Sequence, residues 1–429
     1  MSGVSLLLCN GWVLRSGVER PERLDIAIGA NGRIAALEAA IPADAAAMAI
    51  DLNGKLVVQG LIDAHQHLDK SFTRRLVQNP DATLEGASAG YRALAATATR
   101  DEISSRAERT LDRCIALGTV AIRSHTNIES ESGLRGIEAL IDLRERCRNR
   151  ITLQVVAHLT SDAPRKLSDC RRWLDAAIDA DADVIGGVPQ YADEPLAFLD
   201  LLFASAERSG LPLDMHIDEH LESDHLLFDA LIERTLAHGM QKRVTAGHSC
   251  ALAAATPEAS NRIIEGLAKA DIAVITLPAA NLFLQGRSAQ RLAPRGLTRV
   301  RELAAAGVRV AAASDNIQDP FVPIGSGDLL EIARWTLVSA HLGLNDLATA
   351  FSMVSSVPAG ILGLSNDLGI RRGARADLLI ADAEDAEDLV ATGAADRTVL
   401  VAGRVVAGDL GPPRITAPSG ADNEHTNAR

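Results

Sequence analysis

GLIDAHQHLDKSF, residues 60–72, is an apolar run that stops on two histidines one residue apart, with an aspartate and a lysine directly behind them. A short apolar strand closing on polar, metal-competent side chains decides the fold, because the pattern recurs. Runs rich in β-branched residues end in a turn or polar cluster at LVVQGLIDAH (56–65), TVAIRSH (119–125), ITLQVVAHL (151–159), DVIGGV (183–188), LPLDMHID (211–218), RVTAGHS (243–249), DIAVITLP (271–278) and RVAAASDN (309–316). Between most of them lie amphipathic stretches such as RAERTLDRCIALG and SNRIIEGLAKA, with apolar residues at helical spacing. Near-continuous apolar strands joined by helices predict a parallel sheet covered by helices. Eight such units favour an α/β fold closed into a (β/α)8 barrel of the TIM type over an open doubly wound sheet.

The chain ends read differently. LLLCNGWVL, RLDIAIGANGRIAAL and MAIDLNGKLVV alternate in polarity around Asn-Gly pairs that signal hairpins, and ADLLIAD and TVLVAGRVVAGD near the other end share that character. They predict a small β-sandwich domain built from both ends, residues 1–56 plus 366–410, beside a barrel over 57–365. Residues 411–429, rich in Pro, Ser and Asn without a period, are expected to form a flexible tail.

In 429 residues, 47% apolar and 23% charged residues describe a globular chain with a large core. No apolar stretch reaches the roughly 20 residues that span a bilayer, and the N-terminus lacks the features of a signal peptide, so a cytoplasmic protein is expected. The five cysteines are odd in number, far apart and never in a CxxC pair, which argues against a disulfide framework or a structural zinc site. A formal charge of −13 without any Lys/Arg stripe argues against a nucleic-acid partner and leaves a small ligand.

In a barrel of this type the catalytic side chains stand at the C-terminal strand ends. His65 and His67 follow the first candidate strand and, two residues apart, point the same way. His216 lies at the end of the fifth, His248 ends the sixth and Asp315 the eighth. Singly each has an ordinary explanation: a strand-end histidine is commonly a hydrogen-bonded structural residue, and Asp315-Asn316 could be a turn or helix cap. Together, at the same ends of different strands, they point to one metal centre. Asp69, His125 and His158 are further candidates that are less well placed.

These residues resemble the amidohydrolase superfamily, and within it the cytosine deaminase branch. GLIDAHQHLD looks like the metal-binding first strand, HIDE (216–219) like the HxxE motif, VTAGHS like the sixth-strand histidine and ASDNIQDP like the eighth-strand aspartate segment. LQGR (284–287) and RGLTRV (295–300) also match, making Gln285 a substrate-contact candidate. DKSF (69–72) and DNIQDPFVPIGSGD (315–328) resemble the triazine-degrading members of the same branch. Two-metal members carry a bridging lysine at the end of the fourth strand, where this chain reads DVIGGVPQYADE. The resemblance therefore implies one divalent ion, Zn2+ or Fe2+, held by His65, His67, His216 and Asp315, and a deaminase that attacks an exocyclic C–N bond of a nitrogen heterocycle with a metal-activated water. Asp315 would take the proton of that water, Glu219 would protonate the ring and then the leaving amine, and His248 would stabilise the oxyanion.

Departures from the family fall in the substrate positions. The glutamine that reads a pyrimidine carbonyl and ring NH falls on Thr160, whose hydroxyl cannot reproduce an amide's paired donor and acceptor. His158 replaces an aromatic residue, and Asn316 replaces a second acid, as in the triazine branch. Lys70 reads either as a cation reaching back over the metal to bind substrate or as a solvated loop charge. With Asp69, it is expected to help choose the ring. An N-alkylamino-triazine aminohydrolase and a ring-opening cyclic amidase are the alternatives on this scaffold, with an idle metal-binding barrel as the reading from another class. A homo-oligomer is compatible with the branch, although no subunit seam is legible.

Overall fold

The computed structural model describes residues 3–161, 163, 166–291 and 295–413, so the expected tail lies outside the described residues from 414 onward. Its centre is an eight-stranded parallel sheet in which sequence neighbours are spatial neighbours. The strands are Leu61–Gln66, Thr119–Ile128, Thr152–Leu159, Val184–Gly187, Leu213–Ile217, Val244–His248, Ala273–Thr276 and Val310–Ala312, here called the first to eighth barrel strands. A bridge between Gln66 and Asp315 joins the eighth strand's exit to the first, which closes the barrel. All ten residues of the second strand are buried, as a strand covered on both faces requires.

Helices return each strand to the bottom of the barrel and bury one apolar stripe against it. Arg100–Ala116 begins with a capping box in which Thr99 and Glu102 satisfy each other's backbone N–H groups. Pro257–Lys269 starts on a Thr256 cap with proline in its first turn, and Pro195–Ser209 stops at Gly210 in the left-handed region.

The second sheet also has eight strands and draws on both chain ends. Its order runs Arg404–Ala407, Arg397–Val401, Leu378–Ala381, Leu56–Gln59, Val4–Val13, Glu22–Gly29, Ile34–Glu38, with Met48–Asp51 also pairing with Val4–Val13. Leu8, Ile26, Ile50, Val57, Ile380 and Leu400 form its own apolar cluster.

Two local expectations change. The stretch 56–65 is two strands rather than one: Leu56–Gln59 joins the end sheet and Leu61–Gln66 the barrel. Gly60 separates them because a Cβ there would sit 2.3 Å from the Val120 side chain, so only glycine lets the chain cross this close to the second strand. Of the three Asn-Gly pairs, only Asn31-Gly32 closes a hairpin between paired strands. Asn10-Gly11 lies at a register shift inside Val4–Val13, and Asn53-Gly54 turns between two strands that each lie parallel to Val4–Val13. Asn10 and Asn53 both adopt positive φ, which asparagine tolerates in a bulge as readily as in a hairpin.

Candidate active site

The C-terminal rim of the barrel gathers the histidines. His65, His216, His248 and Asp315 each offer a ligand atom within 4.8 Å of the others, and all four are buried. His67 joins them, its Nε2 3.2 Å from Asp315 Oδ1 and 3.3 Å from His216 Nε2. His65 Nε2 lies 3.5 Å from the same aspartate oxygen.

Backbone conformation aims these groups. Asp218, His248 and Asp315, at the exits of three barrel strands, all adopt positive φ. For non-glycine residues this costs about 1 kcal/mol or more each and persists only where the surrounding structure imposes it. Here hydrogen bonds do so: Asp315 N–H donates to the His65 carbonyl and His67 N–H donates to the Asp315 carbonyl.

Electrostatics leaves the imidazoles neutral. Burial, reinforced by neighbouring histidines and, for His67, by Lys70, holds His65, His67 and His216 well below the usual histidine range. Neutral rings are the form that binds a metal. His67 places Nδ1 2.8 Å from the His125 carbonyl; donating there leaves the Nε2 lone pair facing the cluster, the usual outer support of a metal-ligating histidine. Both nitrogens of His65, Nδ1 of His216, Nε2 of His248 and Oδ1 of Asp315 are buried without a hydrogen-bond partner. So many buried polar atoms without a partner in one place is costly unless a bound ion and the water it carries satisfy them, and three imidazoles with a carboxylate suit a divalent transition metal. The residues present therefore fit such an ion.

Behind this cluster His125 stacks on His65 at 3.8 Å between ring centroids and sets Nε2 3.2 Å from Asp214. Asp214 also receives Arg123 at 2.7 Å, in an ion pair with neither side chain more than 2% exposed. His125 and Asp214 thus brace the ligands from inside the barrel.

Glu219 stands just past the fifth strand, with Oε1 3.3 Å from His248 Nδ1. Burial first, then the negative charge of Asp315, pushes its carboxyl well above the usual range, against the opposing charge of Lys70. The shift favours the protonated carboxyl, the form a general acid needs. His248 is driven the other way by burial, down to about 4, although Asp315 opposes the shift.

Above these groups opens a cavity of about 310 Å³. His67, His216, Glu219, His248 and Asp315 border it together with Lys70, His158, Thr160 and Asn316. Lys70 is 5% exposed, with its ammonium 4.7 Å from the Phe321 ring and 5.7 Å from the Tyr91 ring. Two expected contacts lie elsewhere. Gln285 is not among the bordering residues; its amide donates to the Glu219 carbonyl at 3.3 Å, which Tyr191 Oη also reaches at 2.9 Å. Asp69 turns away, its carboxylate accepting from Tyr91 Oη and the Asn127 N–H.

Sequence reasoning missed one wall. Helix Leu84–Thr97 presents Leu84, Glu85, Ser88, Tyr91 and Arg92 to the cavity, a stripe whose spacing is visible in the sequence but whose mixed polarity resembles a solvent face. Asn127 and Glu129, joined by a 2.6 Å hydrogen bond at the end of the second strand, were missed as well.

A closed parallel barrel with a metal-competent His/Asp cluster and a buried glutamate at its C-terminal rim defines a hydrolase-type centre. Residues 73–407 match the family model described as "Amidohydrolase family". The chain belongs to that family and is a hydrolase acting on carbon–nitrogen bonds. It is 33% identical to a pterin deaminase of Rhizobium rhizogenes over 394 residues, covering 90% of this chain and 88% of that one. It is 28% identical to the N-isopropylammelide isopropyl amidohydrolase of a Pseudomonas species over 372 residues, 84% of this chain and 88% of that one. Among solved structures, the 5-methylcytosine deaminase of Klebsiella pneumoniae superposes with a TM-score of 0.86 at 29% identity, covering 94% of this chain and 97% of that one. No helix among the described residues is long and apolar enough to cross a membrane.

Proposed function

We propose that the chain is a metal-dependent deaminase that releases ammonia from an amino-substituted nitrogen heterocycle, with a bicyclic pterin-type ring as the leading substrate. The observation that carries this reading is the buried Glu219 carboxyl at the edge of the cavity, 3.3 Å from His248 Nδ1 and beside a cluster fit for one divalent ion. The cavity volume, the replacement of an amide by Thr160 and the pterin deaminase relative support the larger ring.

His65, His67, His216 and Asp315 would hold the ion, zinc or iron. Bound there, a divalent cation supplies Lewis acidity, bringing the pKa of a water in the site from about 16 toward about 7. Asp315 is placed to accept the proton of the attacking water. Glu219, whose burial favours the protonated carboxyl, gives its proton to the ring nitrogen next to the attacked carbon, raising that carbon's electrophilicity. It then takes up the proton that Asp315 accepted and passes it to the departing amine, and the hydroxyl proton lost as the product carbonyl forms restores the Glu219 carboxyl. His248, neutral at working pH, donates to the oxygen that develops negative charge, a contribution of about 2.7–4 kcal/mol for a well-aimed donor. Gln285 and Tyr191 act from behind, pinning the Glu219 carbonyl so that its carboxyl stays over the ring. Lys70, His158, Thr160 and Asn316 line the walls against which the substrate is oriented. All five cysteines are buried and outside any disulfide, which suits a cytoplasmic enzyme.

The test is ammonia release from pterins, cytosine, 5-methylcytosine and aminotriazines, with metal content measured on the same sample. Ammonia from a pterin supports the reading. Isopropylamine from N-isopropylammelide would move the assignment to the triazine branch, which Asn316 favours, and ring opening without free ammonia would make the enzyme a cyclic amidase.

A further inference from the structure

Asn281 lies on the short helix Pro278–Leu284 that follows the seventh strand, has no solvent exposure and lies outside the cavity lining. Its side chain makes a single hydrogen bond among the described residues: Nδ2 lies 2.9 Å from His248 Nδ1. Its Oδ1 has no partner. Burying an amide with one end unsatisfied is unfavourable, so a polar residue devoted to one imidazole calls for an explanation. The imidazole is one whose two nitrogens face different tasks. Nδ1 points at Asn281 and Glu219, while Nε2 has no hydrogen-bond partner and faces Asp315 Oδ2 at 3.9 Å. A neutral imidazole carries one N–H, and which nitrogen holds it depends on what the other nitrogen accepts.

We propose that Asn281 is a positioning residue that donates its amide N–H to His248 Nδ1 and thereby keeps the His248 proton on Nε2, aimed into the reaction site. With the proton on Nδ1, a bare Nε2 would compete as a further metal ligand and could donate nothing to the developing oxyanion. Asn281 thus separates His248, the donor, from the chemically identical side chains of His65, His67 and His216, the ligands. This role rests on the deaminase reading for its purpose, but the tautomer itself is measurable without substrate.

The experiment uses the full chain labelled with 15N-histidine, zinc-loaded and metal-free, with long-range 1H–15N correlation of the imidazoles and His248→Asn to assign the signals. The wild type is expected to show a bare Nδ1 and a protonated Nε2 at His248 in both forms. Asn281→Asp keeps the shape but presents only acceptors to Nδ1. It should move the proton to Nδ1 and lower kcat by about 100- to 10,000-fold, leaving KM and metal content within about twofold, as a wrong tautomer does in other imidazole-dependent enzymes. Asn281→Leu removes the donor and should lose the tautomer preference. Nδ1–H in the wild type, or an unchanged tautomer in Asn281→Asp, overturns the proposal. Absence of ammonia release from every ring by the wild type overturns the deaminase reading instead and leaves the tautomer result standing.

Discussion

The backbone N–H of Asp315 donates to the carbonyl of His65 at 2.9 Å, while their side chains approach to 3.5 Å. Backbone and side chain therefore meet at the same point, where the barrel closes between its eighth and first strands. Closure and ligand geometry are one event: a shift of register at this seam would separate the carboxylate from both His65 and His67. Gln66 reinforces it, its amide donating to Asp63 at 2.9 Å and to Ser314 Oγ at 3.0 Å across the seam. A centre assembled at a closing seam is placed by the whole fold, which suits chemistry that needs ligands held to within fractions of an ångström.

Glu219→Gln keeps the side-chain volume but has no carboxyl proton to give. Because Glu219 stands outside the proposed ligand set, metal content should be unchanged. The value of kcat should fall by about 100- to 10,000-fold, the usual worth of a general acid–base group. Metal analysis and ammonia release on one preparation check this. Full activity would exclude Glu219 as the proton carrier, and loss of metal would make it a ligand.

Lys70→Met keeps the stem between Phe321 and Tyr91 and removes the ammonium. A buried cation over aromatic faces and beside the cavity should contribute about 1–2 kcal/mol to substrate binding, which corresponds to a roughly 5- to 30-fold rise in KM. Steady-state kinetics decides, since unchanged KM and kcat together would leave Lys70 a packing residue.

Much of this was legible because barrel strands carry their own punctuation. Each β-branched run that ended on a polar cluster became a strand exit, so His65, His216, His248 and Asp315 could be placed at one rim before their contacts were known. Asn281 could not, since an asparagine inside PAANLFL looks like any early helical residue until the fold turns it toward His248. Gln285 was legible as a motif residue but not in direction: its amide is spent on the Glu219 backbone. Asp69 misled for a related reason. A carboxylate next to a ligand histidine reads as functional, whereas helix Leu84–Thr97 packs over it and gives it Tyr91 as a partner.

Asp319 carries a pH dependence of stability. Its carboxylate accepts from the N–H groups of Phe321 and Val322 and from the Asn316 amide, tying down the segment that follows the eighth strand. Burial nevertheless raises its pKa from 3.8 to about 7. Since the folded value lies above the unfolded one, the protonated form contributes stability that is full below about 4 and is lost as pH rises through about 7. Between those limits the wild type should lose about 1.4 kcal/mol per pH unit relative to Asp319→Asn, which does not titrate. Urea denaturation of both proteins at pH 5, 6 and 7 measures the difference, and a constant difference would mean that Asp319 is ionised in the fold throughout.

Thr160→Gln tests what chooses the ring. Thr160 borders the cavity, and the resemblance to the cytosine deaminase branch implies a pyrimidine-reading glutamine at its position. A hydroxyl can make one directional contact where a primary amide offers a donor and an acceptor side by side. Restoring the amide should improve recognition of a carbonyl next to a ring N–H, and its extra length should crowd a second fused ring. The ratio of kcat/KM for cytosine to that for pterin should therefore rise by about tenfold or more, one paired hydrogen-bond contact being worth about 1–2 kcal/mol. Competing the two substrates in one assay gives the ratio directly. If it does not move, selection of the ring lies with the wall formed by helix Leu84–Thr97, and Ser88→Ala or Arg92→Ala should shift it instead.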